Sequence, residues 1–370
     1  MKRSQRKARP LLPFLLLVSA LPAAEESRSL LLTADSVAPA IITQAADKAL
    51  RAPLVTIVDK AKPSPTGDAH DYISYARYWW PDPAKPAGLP FIRQDGHHNV
   101  EQVAAGDRKK IDLLVDNVTA LALGWSRLHR EDCARQAGGW LRAWFVTPAT
   151  RMKPALDYAQ VQLGHNNNLG NASGVLDTRT FADLVEAVRL LQGSPALTAG
   201  EDAAVRQWFT EYFHWLETGA SALGEHKAEN NHGSWFLVQA VGIARYLGRD
   251  DVAKQLCEED RARIGWQFAP DGRQPLELER EDGLHYSHFN LFAQLLLARQ
   301  ARRVGVDLWH CTAPSGGSLK RGIAYLLPYN DAPEKWPHKE REILPRGFMR
   351  ELLEMAVELD QAPVPPAAPK

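Results

Sequence analysis

The sequence predicts an all-α protein, an (α/α)n toroid or incomplete α/α barrel with long loops at one end. Apolar residues recur at intervals of three and four in one segment after another, which is typical of helices with a single apolar face. Strand signals are scarce and do not alternate regularly with helices, which argues against a parallel-sheet α/β fold. Segment 284–298 is apolar around most of its circumference, so we expect it to be covered on both sides, like a helix of an inner ring.

The predicted helices follow one another along most of the chain. Gly248, followed by Arg-Asp-Asp, marks the end of one helix and the start of the next. Two segments carry weak strand signals: 52–59, and 265–280, where Asp271 and Gly272 suit the turn of a short hairpin. The helical segments are 111–128, 181–191, 205–216, 235–247, 251–265, 284–303, 317–328 and 346–359.

The composition restricts the class of partner. The chain has 370 residues, of which 45% are apolar, so it can bury a large core, and general disorder is excluded. Lys and Arg together number 44, as do Asp and Glu, so the chain lacks the net basic field that duplex-binding proteins present. No nucleic acid is therefore expected as a ligand. Cys133, Cys257 and Cys311 are far apart, so they form no metal-ligand pattern and at most one disulfide.

The two ends of the chain differ from the rest in composition. Residues 1–24 combine a cationic leader, a short apolar stretch and small residues, and we predict that they form a signal peptide. Residues 25–360 are predicted to form a single domain, and 361–370 a disordered tail rich in Pro and Ala. We expect no membrane span, because the apolar stretch of the leader is too short. The sequence thus predicts a periplasmic or secreted protein, and we expect a monomer.

The motif Asn-Asn-His-Gly-Ser-Trp at 230–235 directly precedes an apolar helical run. One interpretation is structural: an asparagine caps the helix, the histidine faces solvent and Trp235 packs inward. The other is functional: Asn230, Asn231 and His232 bind an anion, because amides and backbone N–H groups at a helix N-terminus donate to a carboxylate. The pattern alone leaves both interpretations open.

A second stretch, 276–290, places Arg280 six residues before Tyr286, with His285 and His288 beside the tyrosine. The structural interpretation makes Tyr286 a core aromatic and Arg280 a surface charge. The two histidines also have the i, i+3 spacing of a metal pair, but no third ligand stands at a suitable spacing. The two stretches together supply what β-elimination from a uronic-acid polymer needs: groups that neutralise the carboxylate, a base at C5 and an acid at O4. That reaction requires no metal and no organic cofactor, and none is predicted.

The two motifs resemble those of the alginate lyase superfamily of α/α-toroid polysaccharide lyases, families 5 and 38. The resemblance extends to the segments 67–83, 92–99 and 174–181, so that it covers residues 50–330. The interval of six residues between the arginine and the tyrosine is closer to family 38. Resemblance to that family implies an anionic polysaccharide as partner, either mannuronate-rich alginate or glucuronan.

The resemblance also implies roles for the motif residues. It assigns neutralisation of the substrate carboxylate to Asn231, His232 and Arg280, and proton transfer to Tyr286. For sugars whose C5 proton lies on the other face of the ring, it implies that His232 is the base instead.

The long loops supply further candidates for binding the sugar chain. Aromatic rings stack on the C–H faces of sugars, arginines make two-pronged contacts with carboxylates, and asparagines bind hydroxyls. Each type has a structural alternative, because aromatic residues also pin loops to a core and asparagines satisfy turns. The predicted substrate-binding residues are Arg77, Tyr78, Trp79, Trp80, Arg93, Asn167, Asn168, Arg179, Asn230, Trp235 and His285.

Two other functions remain open from the sequence. An inverting α/α-toroid glycoside hydrolase needs two carboxylates on either side of a water-sized gap, and Glu277, Glu279, Asp282 and Asp177 are the available acids. Asp177 is better suited to orienting a neighbour than to acting as an acid. A non-catalytic periplasmic polysaccharide-binding protein would share the fold without the chemistry.

Overall fold

The computed structural model of the chain describes residues 37–60 and 62–361, and most of these are helical. The all-α prediction is confirmed. The predicted signal peptide and residues 362–370 of the predicted tail lie outside the described residues. The α-helices are α1 (Pro39–Arg51), α2 (Val100–Ala104), α3 (Arg108–Leu128), α4 (Glu131–Leu141), α5 (Phe181–Leu190), α6 (Ala199–Thr218), α7 (Ala220–His226), α8 (Asn231–Tyr246), α9 (Asp250–Gln267), α10 (Pro275–Leu278), α11 (Gly283–Arg302), α12 (Leu319–Leu326) and α13 (Arg350–Gln361).

Four short strands lie in the loops between these helices. They are β1 (Ile73–Tyr75), β2 (Trp79–Trp80), β3 (Ile92–Arg93) and β4 (Tyr158–Val161). β1 pairs in parallel with β4, and β2 pairs antiparallel with β3. The strand signal at 52–59 is wrong, since that segment is loop and turn.

The hairpin expected within 265–280 is also wrong. The chain makes a tight turn in which the Gly272 N–H donates to the Ala269 carbonyl, 2.9 Å away. Pro275 then begins α10, and a proline suits the first position of a helix because its φ is already fixed near the helical value.

Helices α3, α5, α8 and α11 form an inner layer in which each packs against the next. All residues of α8 except His232 are buried, and most of α11 is buried as well, as its apolar circumference predicts. Helices α1, α4, α9, α12 and α13 pack against this layer. The inner helices therefore account for the apolar runs in the sequence.

Neighbouring inner helices run in the same direction. Ser234 of α8 donates to Asn290 of α11 over 2.7 Å, and one turn further along α8 the Val238 carbonyl accepts from Gln300 over 3.2 Å. Before α5 begins, the Val175 carbonyl accepts from Gln239 in the middle of α8. Further along, Glu186 of α5 accepts from Arg245 near the end of α8, so α5 runs in the same direction as α8. The N-termini of three inner helices consequently open at one end of the protein, and their dipoles favour negative charge there.

An aromatic cluster packs α6 against α5. The rings of Phe181 and Phe209 lie 5.9 Å apart, and Trp208 stacks on Tyr212 at 5.3 Å. All four side chains are buried, and burial of one such side chain stabilises the fold by roughly 1.5–3 kcal/mol. Gly138 lets α4 approach the loop before α6, because a Cβ at this position would lie 1.9 Å from the Ala196 carbonyl oxygen.

None of the helices in the described part of the chain is both long and apolar enough to cross a membrane. All three cysteines lie in this part and are free thiols, Cys133 and Cys257 in the interior. Burial raises the pKa of the Cys133 thiol to about 11, which keeps it protonated at neutral pH.

Candidate active site

Segments that are far apart in the sequence meet where the inner helices begin. The first turn of α8 carries Asn231 and His232, the residues after α10 include Arg280, and the first turn of α11 carries Tyr286. The Arg280 guanidinium lies 3.7 Å from the centre of the Tyr286 ring. The charges of His232 and Arg280 both act on the Glu277 carboxylate, which bonds to Asn231. The structure thus brings the four predicted catalytic residues into one cluster.

Asn230 has the structural role that the sequence left open. Its side-chain oxygen accepts from the His232 backbone N–H over 3.2 Å, which makes it the N-cap of α8. An N-cap asparagine holds the first turn of the helix in place. Asn230 therefore positions the two residues that follow it, and its amide oxygen is already engaged.

His232 forms an ion pair with a glutamate that the sequence analysis did not identify. Its Nδ1 lies 2.6 Å from the Glu225 carboxylate, which is buried at the end of α7. Burial by itself lowers the pKa of His232, but the Glu225 carboxylate outweighs it, and the pKa is raised above its ordinary value. The imidazole side chain is 21% exposed, so part of the ring is accessible to a ligand.

Asn231 is fully buried and bonds twice to Glu277. Its backbone N–H donates to one carboxylate oxygen and its Nδ2 to the other, each over 2.7 Å. Its Oδ1 is buried with no hydrogen-bond partner among the described residues. Burial raises the pKa of Glu277 to about 7, although Asn231, His232 and Arg280 each act to lower it.

Arg280 is held by Asp95 on the loop after β3. Its Nε and one terminal nitrogen contact the two Asp95 oxygens at 3.3 and 3.0 Å, which is a two-pronged contact of the kind that guanidinium makes with a carboxylate. Burial lowers the pKa of Arg280, but Tyr286 and Asp95 outweigh burial and raise it, so the cation is permanent. Arg93 also contacts Asp95, at 2.7 Å, and its side chain is 54% exposed.

Tyr286 points its hydroxyl away from the core and towards the loop between β1 and β2. The hydroxyl lies 2.5 Å from that of Tyr78, which in turn lies 3.3 Å from Nε2 of His98. Burial and Tyr78 raise the pKa of Tyr286, and Arg280 acts in the opposite direction. Tyr78 was predicted to stack on sugar rings, whereas the structure places its hydroxyl on the candidate base.

Arg179 is a buried cation at the start of α5. It lies 5.7 Å from the rings of both Trp235 and Phe289, and its guanidinium donates only to the Leu176 carbonyl, at 3.4 Å. Burial and the nearby Arg108 lower the pKa of Arg179 to about 10. No salt bridge to Arg179 occurs among the described residues, although Asp112 and Asp177 act on its charge from a longer distance, so a substrate carboxylate would find no direct counter-ion there.

Trp235 does not offer a sugar-stacking face. It is 5% exposed and packs 4.9 Å from Phe289, so it forms the floor beneath Arg179. The structural interpretation of this tryptophan, packing inward, is the correct one. His285 is half-buried, stacks 6.2 Å from Phe289 and meets Tyr286 edge-on at 5.3 Å.

The remaining aromatic and arginine candidates lie on the β2–β3 pair. Trp79 packs 4.8 Å from His165, and the Trp80 indole N–H donates to the His97 carbonyl over 2.9 Å. Both indoles are half-buried and keep one part of the ring at the surface. Arg77 is half-buried, and its charge lowers the pKa of Tyr286.

The asparagine-rich loop forms a turn, which is the structural alternative that the sequence allowed for these residues. Asn166, Asn167 and Asn168 all have positive φ, between 45° and 57°, a conformation that asparagine tolerates better than most residues. The Asn168 side chain accepts from the Gly164 N–H over 2.8 Å. Asn168 is therefore engaged within its own turn, whereas the Asn167 side chain is exposed.

Asp177 orients its neighbours, as the sequence suggested. It is buried and receives hydrogen bonds from Tyr72, Arg108 and Gln160, each 2.9 Å long. It thereby ties β1, α3 and β4 to the start of α5. A carboxylate so fully bonded is poorly placed to act as the acid of a hydrolase.

No cluster of three or more His, Cys, Asp or Glu side chains suited to a metal occurs in the part of the chain that the structure describes. His285 and His288 therefore have no third ligand there. Both histidines instead pack against phenylalanine rings, Phe289 and Phe292.

Comparison with known families identifies the family of this chain. The family model described as alginate lyase matches residues 56–336. The chain belongs to the alginate lyase family. It is a polysaccharide lyase. An alginate lyase from Bacteroides ovatus is 32% identical, with a TM-score of 0.82 over 90% of this chain and 93% of that one. No curated protein sequence gives a significant match.

Two more distant structures share the fold. Alginate lyase A1-III from Sphingomonas species A1 is 14% identical, with a TM-score of 0.55 over 87% of each chain. A variant of that enzyme in complex with a tetrasaccharide is also 14% identical, with a TM-score of 0.52 over 87% of this chain and 89% of that one. At this level of identity the likeness supports the α/α-toroid architecture alone.

Proposed function

We propose that the protein cleaves a polymer of D-uronic acids, mannuronate-rich alginate or glucuronan, by β-elimination. The observation that carries the proposal is the 3.7 Å approach of the Arg280 guanidinium to the Tyr286 ring. It places a permanent cation beside a phenol whose hydroxyl faces the cleft. A carboxylate and an acidic C–H of one sugar residue would meet these two groups together.

The cations supply the first requirement of the reaction. The C5 proton becomes acidic only if the charge that spreads into the adjacent carboxylate is stabilised as it develops. His232, whose charged form is favoured by Glu225, and Arg280 are two cationic groups of the cluster. Asn231 would add a neutral donor. Because Asn231 has no exposed surface here, it reaches the carboxylate only after the side chains above it have moved.

Tyr286 supplies the base and the acid. Its phenolate oxygen takes the C5 proton, the C5–H electrons form the C4–C5 double bond, and O4 leaves with the proton that the phenol returns. One phenol can perform both transfers only if the C5 proton and O4 lie on the same face, as in D-mannuronate and D-glucuronate. Arg280 favours the phenolate, against burial and Tyr78, which raise the pKa of Tyr286.

The Glu225–His232 pair supports this assignment over the alternative in which His232 is the base. A raised pKa keeps His232 charged to a higher pH than an ordinary histidine, and an imidazolium neutralises a carboxylate but cannot take up a proton. L-Guluronate, with the opposite arrangement at C5, would require the neutral imidazole. We therefore propose that polyguluronate is the poorer substrate.

The rest of the cleft would bind the neighbouring sugars. Arg179, buried without a salt bridge among the described residues, is the best candidate for a second carboxylate. Trp79 and Trp80 are half-buried on a rigid strand pair, so they can stack on sugar rings. The exposed Asn167 and Arg93 would contact the polymer at the rim.

The test is a substrate screen of the purified protein. Polymannuronate, polyguluronate, glucuronan and hyaluronan are incubated separately, and absorbance of the 4,5-unsaturated uronate is followed with the release of reducing ends. We expect absorbance to rise with polymannuronate or glucuronan. Reducing ends without absorbance would identify a hydrolase, and binding without either product would identify a non-catalytic polysaccharide-binding protein.

We propose further that the protein acts outside the cytoplasm as a monomer. The support is the leader-like composition of residues 1–24 and the polymeric nature of the substrate. Fractionation of the source cells, followed by light scattering of the purified protein, tests both statements. Recovery of the uncleaved chain in the cytoplasm would contradict the first, and a stable dimer would contradict the second.

A further inference from the structure

Glu277 is a buried carboxylate that no cation among the described residues contacts directly. It is 1% exposed, and its hydrogen bonds come from the backbone and side-chain N–H groups of Asn231. Glu225 is equally buried, but the His232 imidazole lies 2.6 Å from it. The charge on Glu277 is therefore the less well compensated of the two, and burial acts more strongly against it.

The charge of Glu277 is balanced from a longer distance by His232 and Arg280. The proposed function gives the same two cations to the uronate carboxylate. A bound uronate adds negative charge beside both cations and cancels the field that favours ionised Glu277. Burial then favours the protonated carboxylic acid, because a buried charge without a nearby counter-charge is costly.

Asn231 offers an acceptor for that new proton. Its Oδ1 is buried and has no hydrogen-bond partner among the described residues. The two ends of an amide have nearly the same shape, so the group can reverse in place. After reversal, the O–H of Glu277 donates to Oδ1, and the Asn231 backbone N–H still donates to the other carboxylate oxygen. The reversal also puts two N–H donors where an oxygen had no partner.

We propose that binding of a uronate is coupled to the uptake of one proton by Glu277, and that protonated Glu277 reverses the Asn231 amide so that it becomes a donor towards the substrate carboxylate. The inference rests on the proposed function, because it takes the ligand to be a uronate held by His232 and Arg280. Glu277 is a positioning residue in this scheme, since it acts on the substrate through Asn231.

The pH dependence follows from the state of the free protein. Burial raises the pKa of free Glu277 to about 7, and a bound uronate raises it further. At low pH the group is already protonated, so binding takes up no proton. Near pH 7 about half a proton is taken up, and above it the number approaches one. The other charged groups at this position are His232 and Arg280, with Glu225 behind the histidine.

The first experiment is calorimetric titration of the Tyr286→Phe protein with a D-mannuronate tetrasaccharide and a D-glucuronate tetrasaccharide. Two buffers with different enthalpies of ionisation give the number of protons taken up at each pH. We expect this number to rise through about pH 7 and the affinity to fall about tenfold for each further pH unit. Binding with no proton uptake across this range would overturn the inference while leaving the proposed function intact. If neither sugar binds, both the inference and the proposed function are contradicted.

The second experiment tests whether Glu277 is the group that takes up the proton. Glu277→Gln in the same background presents a permanent amide in place of the acid, so the uptake that Glu277 contributes near pH 7 is expected to be lost and the affinity to depend less steeply on pH, with the dependence due to His232 retained. The matched control is Asp260→Asn, because Asp260 is also buried, has a pKa raised by burial to about 6, and bonds to Gln294 without contacting Asn231. Unchanged uptake in Glu277→Gln would assign the proton to another group and overturn the inference.

A third measurement needs no substitution at Glu277. Infrared difference spectra of the Tyr286→Phe protein, with and without the mannuronate tetrasaccharide, report the carbonyl stretch of a protonated carboxylic acid. We expect this band to appear on binding at about pH 8, where free Glu277 is mostly ionised. If Glu277→Gln fails to fold, absence of the band in the parent protein still contradicts the proposal.

Discussion

Glu225 and Glu277 are both buried glutamates that bond to neighbouring residues in the first turn of α8, yet they differ in the chemical type of their partner. Glu225 bonds to an imidazole, and its carboxylate raises the pKa of that imidazole. Glu277 bonds to an amide and has its own pKa raised by burial to about 7. Because the two glutamates are buried to a similar depth, the difference lies in the partner, which is an imidazole that can carry a charge in one pair and an amide that cannot in the other.

Tyr286→Phe should have the largest effect, because both glutamate pairs prepare the cleft for proton transfer by this phenol. We expect kcat to fall by about 1,000-fold, with polymer binding retained, since general acid–base groups contribute factors of this order. The measurement is the initial rate of absorbance increase with polymannuronate or glucuronan. Tyr325→Phe is the matched control, because its hydroxyl also bonds to a neighbour, His338, outside the cluster. Wild-type rates in Tyr286→Phe would remove Tyr286 from the mechanism.

Arg280→Lys tests the cation whose charge acts on Glu277. Lysine keeps the charge but cannot reproduce the two-pronged contact with Asp95 or the stacking on Tyr286. We expect kcat/KM to fall by about 100-fold, as for loss of one group that stabilises developing charge. Arg273→Lys, at an exposed salt bridge with Asp271, should leave kcat/KM unchanged. An Arg280→Lys protein as active as the parent would show that charge alone suffices.

Glu225→Gln breaks the other pair. Burial then acts on His232 with the more distant Glu277 carboxylate opposing it, so the pKa of His232 falls and less of the imidazole is charged near pH 7. We expect kcat/KM at neutral pH to fall about tenfold for each pKa unit lost, and to recover as the pH is lowered. The pH–rate profile is the measurement, with Glu217→Gln, at an exposed pair with Arg249, as the control. A profile that moves to higher pH would contradict a role for charged His232.

The same pair links stability to pH. The folded-state pKa of His232 lies above its ordinary value of 6.5, so the pair contributes its full stabilisation below pH 6.5 and loses it as the pH rises through the raised pKa. Urea unfolding of the parent at several pH values should show this loss. Glu225→Gln should lack it, and an identical dependence in both proteins would assign it elsewhere.

Arg93→Ala should have the smallest effect. Its salt bridge to Asp95 is mostly exposed, and such pairs contribute little. Asp95 keeps its contact with the half-buried Arg280, so we expect kcat to be unchanged and KM to rise less than about twofold. A large loss of kcat would show that Arg93, rather than the buried groups, controls the position of Arg280.

Much of the architecture was predictable from local pattern. A helix with one buried face repeats its apolar residues every three or four positions, so α3, α5 and α6 are visible in short windows of the sequence. The capping asparagine and the arginine and tyrosine six residues apart also lie within single motifs. Helices α4 and α7 were missed, as were the two-residue strands, whose partners lie elsewhere in the chain.

The sequence by itself determined the inner helices and the candidate chemical groups, because both depend on residues that are close along the chain. Only the tertiary structure decided which charges compensate one another. Asp95 lies 185 positions from Arg280, and Glu277 lies 46 positions from Asn231. Burial and partner identity, which set the charge of a carboxylate, are properties of the assembled cleft. For the same reason Trp235, a plausible sugar platform in the sequence, is part of the floor in the folded protein.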